Sequence, residues 1–144
     1  MHRRPLGRGR VLAVLSALVI VVGCVLPWYT VGGEVAGIPA RSVNAFDDLA
    51  GLLVFLAALA VLALVALPYA AGDQPIAIDR WPSYLLLLLA GVVGVALRVV
   101  SIVTGDLLLD GLRPDRALGI WIAAVGLIGL ARATLEISQE RGPR

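Results

Sequence analysis

Leu49–Tyr69 reads LAGLLVFLAALAVLALVALPY, 21 residues without a single charge. A hydrocarbon core of ~30 Å is crossed by about 20 helical residues, and this stretch is apolar on every face rather than along one stripe. It therefore reads as a membrane-spanning helix. Three more stretches share its character: Val11–Trp28 (VLAVLSALVIVVGCVLPW), Ser83 to about Thr104 (SYLLLLLAGVVGVALRVVSIVT) and about Ala117 to Leu135 (ALGIWIAAVGLIGLARATL). The expected fold is an all-α membrane protein, an up-down-up-down bundle of four transmembrane helices joined by short loops. Residues 1–10 form a basic tail, 11–135 the transmembrane domain, and 136–144 a second tail.

Composition agrees. Of 144 residues, 60% are hydrophobic and 15% charged, with a mean hydropathy of +0.95. A soluble domain is roughly half apolar and about a quarter charged, and a chain this small buries only about two-thirds of its surface. A soluble enzyme, a disordered tail and a nucleic-acid binder are excluded on this balance. Lipid is the expected solvent for the outer faces.

The boundaries carry chemical marks. Pro27 and Pro68 are expected to end spans one and two, and Pro82 followed by Ser83 as N-cap to open span three. Asp47 and Asp48 precede span two, where negative charge suits a helix N-terminus. Gly32-Gly33, between Thr30-Val31 and Glu34-Val35, suggests a small hairpin in the first outer loop.

All twelve basic side chains are Arg. Arg3, Arg4, Arg8, Arg10, Arg80, Arg132, Arg141 and Arg144 fall on one side of the bundle, and Arg41, Arg113 and Arg116 on the other. The positive-inside rule then puts both termini in the cytoplasm. Aromatic residues favour the interfaces: Trp28, Tyr29, Phe46 and Trp121 are expected at the outer face, Tyr69, Trp81 and Tyr84 at the inner one, and Phe55 alone within a span. The chain also reads as two loosely similar hairpins, each a span, a loop with Gly and acids, and a span.

Leu26-Pro27-Trp28 at the end of span one, Gly32-Gly33 with Gly37 in the first loop, and Gly119-Ile120-Trp121 opening span four follow a basic N-terminal tail. In these marks the whole chain resembles a broad set of small, largely uncharacterised four-span bacterial membrane proteins, frequent in actinobacteria. The resemblance implies a fold and a cell-membrane location, and brings no activity with it.

Few residues invite chemistry. Val21-Val22-Gly23-Cys24 matches a lipobox, so Cys24 is a candidate lipidation site; the alternative is a small core residue. A single Cys excludes an internal disulfide and a Cys-based metal set. Asp106 and Asp110 share a face if helical, but no His or second Cys lies near them, and solvated loop acids are the expectation. There is no GxSxG, HExxH or P-loop. No enzyme activity, cofactor or metal is expected.

Two packing features remain. Gly119, Ala123, Gly126, Gly129 and Ala133 recur every three or four residues on span four. Such a face lets helix backbones approach closely in lipid, with Leu127 expected on a neighbouring face. Arg98 is the one charge well inside a span, on a face with Gly91, Gly94 and Ser101. Charges there are paired or face a cavity, and Asp47 and Asp48 are its nearest candidate partners, with Asp106 as rival and headgroup snorkelling as the alternative. The expected function is that of a non-catalytic accessory, scaffold or assembly partner; the alternative is a small transporter or channel subunit. The expected partners are the bilayer, a second copy or another membrane protein, and no nucleic acid.

Overall fold

In a computed structural model, which describes residues 7–31, 33, 39–70, 81–104 and 112–139, the chain forms the four-helix bundle. The helices are α1 (Arg8–Val25), α2 (Leu49–Ala70), α3 (Trp81–Thr104) and α4 (Leu118–Gln139). Each is long and apolar enough to cross a membrane. Between α1 and α2 lie two short strands, β1 (Tyr29–Val31) and β2 (Arg41–Val43), and a 3₁₀ turn, Ala45–Asp47. The helices pack in the cyclic order α1, α2, α3, α4. The most extensive contact joins α4 to α1, the first and last helices. The two hairpins suggested by the sequence are therefore not the packing units.

Three boundaries differ from expectation. Helix α2 continues through Pro68 to Ala70: a proline this close to a helix end disturbs the hydrogen bond to the preceding turn, but leaves only two further residues to displace. Helix α3 starts at Trp81, so Pro82 lies in its first turn and Ser83 is its third residue rather than its cap. Proline fits there because the first four N–H groups of a helix have no intrahelical acceptor. Arg8 and Arg10 belong to α1 rather than to a tail.

The hairpin also differs. Its strands are antiparallel, with Tyr29 opposite Val43, Thr30 opposite Ser42 and Val31 opposite Arg41. The partner of Thr30-Val31 is thus Arg41-Ser42; Glu34-Val35 lies outside the described residues. Gly33 takes φ 99°, a left-handed conformation that glycine adopts without penalty.

Two of the expected interface aromatics are interior. Trp28 and Tyr84 have no exposed surface and are the largest fully buried side chains among the described residues. Trp28 lies beyond the end of α1, at the end of the bundle that carries the hairpin. Tyr84 lies in the first turn of α3, at the opposite end. Trp121 keeps the expected position: half its surface is exposed, and its Nε1 donates to the Leu112 carbonyl at 2.9 Å. Phe55 sits in the second turn of α2 and packs edge-to-face on exposed Phe46, with centroids 4.9 Å apart.

Candidate functional site

The hairpin end gathers the polar chemistry. Asn44 opens the 3₁₀ turn: its side chain accepts from Phe46 N–H at 3.0 Å, while Asp47 Oδ2 accepts from Asn44 N–H at 2.8 Å. This reciprocal capping box occupies Asp47 locally. The next residue, Asp48, is left in extended backbone and caps α2. Its Oδ1 accepts from the N–H groups of Ala50 and Gly51, the latter at 3.0 Å, two of the donors that a helix N-terminus leaves free. Gly51 allows the turn to fold back onto α2, because a Cβ there would lie 2.6 Å from Ala45 Cα.

The second oxygen of Asp48 reaches another helix. Arg98, six residues before the end of α3 and so about 9 Å below it, donates its Nη1–H to Asp48 Oδ2. The guanidinium carbon also sits 4.8 Å from the ring centroid of Tyr29 on β1, within cation–π range. Asp48, Arg98 and Tyr29 thus bind α2, α3 and the hairpin at one point. Arg98 is 8% exposed, and no buried side-chain nitrogen or oxygen among the described residues lacks a partner. Of the two expected acids, the structure brings Asp48 to Arg98 and leaves Asp47 in the capping box. Asp106 and Asp110 lie outside the described residues. Gly91 and Gly94 share the buried face of α3 with Arg98 as expected, but Ser101 is exposed and Ile102 takes its place.

Gly94 explains how close the pair can be. A Cβ there would lie 2.6 Å from Val54 Cγ2 and 2.7 Å from the Ala50 carbonyl oxygen. The glycine draws α3 onto the first turns of α2, and Asp48 and Arg98 follow.

The small-residue stripe of α4 faces α1. Gly119, Ala123, Gly126 and Ala133 are buried, and Gly129 is half-buried. A Cβ at Gly126 would meet Ile20 Cγ1 at 2.6 Å and the Ser16 carbonyl oxygen at 3.0 Å; one at Gly129 would meet Ser16 Oγ at 2.5 Å. The sequence reading missed the matching stripe on α1, which is Gly9, Ala13, Ser16, Ile20 and Gly23, all buried. Its spacing of four, three, four and three was the available signal. At Gly23 a Cβ would lie 2.6 Å from the Ala123 amide nitrogen and 2.8 Å from the Gly119 carbonyl oxygen. Backbone meets backbone along this seam, the arrangement that small residues permit in lipid. Leu127 lies on a neighbouring face, as expected, but one that is buried against α3: a Cβ at Gly91 would lie 2.7 Å from its Cδ2.

Trp28 closes the seam at the hairpin end. Its Nε1 donates to the Gly23 carbonyl at 2.9 Å and its backbone N–H to the Val43 carbonyl at 2.7 Å. Pro27 O accepts the Gly119 N–H at 2.8 Å, satisfying a first-turn donor of α4 from another part of the chain. Thr30 Oγ1 contacts Ser42 Oγ at 3.2 Å and donates to the Arg116 carbonyl at 3.4 Å, tying β1 to the segment before α4.

Cys24 is fully buried in α1. Cleavage before it would remove most of α1, including Ala13, Ala17 and Ile20 of the core, and with them the most extensive helix contact. This packing opposes the lipoprotein reading.

No protein-family model, curated protein or solved structure matches the chain. The class of the molecule rests on the fold: four apolar helices packed as one bundle define a multi-pass membrane protein.

Proposed function

We propose that the chain is a non-catalytic protein of a bacterial cell membrane, with both termini in the cytoplasm, that serves as an accessory, scaffold or assembly partner for another membrane protein or a second copy of itself. One observation carries the reading: the intramembrane arginine is spent on the fold. Arg98 is held by Asp48 and Tyr29, so the charge that membrane burial would penalise is matched within the bundle. The fully buried Trp28 and Tyr84 near opposite ends of the bundle favour the same reading. So do the glycine contacts that bring α1 and α4 together. The cytoplasmic termini rest on the arginine bias, eight against three.

Cysteine scanning tests this against the transporter alternative. In a Cys24→Ala background, single cysteines at the buried positions Ala13, Val61 and Ala123 should resist a membrane-impermeant thiol reagent in intact membranes. A continuous row of labelled positions would overturn the reading in favour of a water-filled path. In parallel, photocrosslinking residues at the lipid-exposed positions Leu86, Val125 and Ile128 should yield a discrete protein adduct. Adducts to lipid alone at every position would count against a scaffold. A reporter fused after Arg144 that is active only outside the cytoplasm would overturn the orientation.

A further inference from the structure

We draw no further inference here: the strongest candidate, the exposed apolar ridge of α3 formed by Leu86, Leu89, Val93, Leu97 and Val100, faces away from the bundle and nothing in the structure shows what covers it.

Discussion

Asp48 serves two helices with one carboxylate, capping α2 through Oδ1 while its Oδ2 takes the Arg98 guanidinium from α3. The division of labour makes the two partners unequal. Removing Arg98 leaves a carboxylate that still has two backbone donors. Removing Asp48 uncaps α2, at about 1 kcal/mol, and leaves an arginine inside the membrane without its counter-ion. An unpaired arginine at a helix centre costs about 3 kcal/mol on insertion scales, an upper bound for a residue this near the interface.

The order of destabilisation should therefore be Asp48→Ala, then Asp48→Asn, then Arg98→Leu, measured as folded fraction in a detergent-denaturation titration. Asn retains a capping oxygen and loses only the charge. The double swap of Arg98→Asp with Asp48→Arg should recover part of the loss of Arg98→Asp alone, but not all, because an arginine cannot cap α2. If Arg98→Leu and Asp48→Ala are both as well folded as the parent, the pair has no structural role.

The seam between α1 and α4 has no room for side chains. Gly126→Leu and Gly23→Leu should each destabilise the bundle by about 1–3 kcal/mol or more, as overpacking does in tight cores. Ile128→Leu, on the lipid-facing side of α4, is the matched control. Leu127 is unsuitable for that purpose because it packs into the space left by Gly91. Equal denaturation midpoints for all three variants would show that the seam does not need its glycines.

Trp28 contributes both volume and a hydrogen bond. Trp28→Phe should cost about 1 kcal/mol through the lost bond to the Gly23 carbonyl, and Trp28→Ala about 3–5 kcal/mol. The emission of a chain carrying only Trp28 should also be insensitive to aqueous iodide, and should become quenchable when the bundle unfolds. Quenching of the native protein would place the indole in the interface instead.

Cys24 should stay unmodified. The mature protein should keep the residues before Cys24, and intact mass should show no acyl addition. Its size should not change when lipoprotein signal peptidase is inhibited with globomycin. A diacylglyceryl mass increase together with loss of residues 1–23 would reverse this.

The bundle was legible because hydropathy is a property of whole segments, and four segments of 18 to 22 apolar residues admit few other arrangements. For Arg98 the sequence favoured Asp47 and Asp48, which lie where α2 begins, with Asp106 as rival and headgroup snorkelling as the alternative. Choosing between Asp47 and Asp48 needed the capping box at Asn44, whose 3₁₀ turn spans three residues and carries no periodic signal. The burial of Trp28 and Tyr84 was hidden for another reason: a sequence gives the depth of an aromatic residue along a span, but not whether its ring turns toward lipid or toward the other helices. The α1 stripe was concealed by Ser16 and Ile20, which break a pattern that glycine and alanine alone would have made plain. The strand partner of Thr30-Val31, Arg41-Ser42, lies seven residues beyond the expected Glu34-Val35, past a loop whose length no local turn signal specifies.

The pairing of the first helix with the last has a consequence for synthesis. More than a hundred residues separate the end of α1 from the end of α4, which at about 5–20 residues per second takes on the order of ten seconds to synthesise. Throughout that interval the glycine-lined face of α1 waits in the bilayer for a partner not yet translated. Any passing helix with small residues competes for it, and a chain halted before Leu118 never closes. The nascent protein is therefore most vulnerable to capture, or to a membrane protease, in the seconds before its final helix emerges.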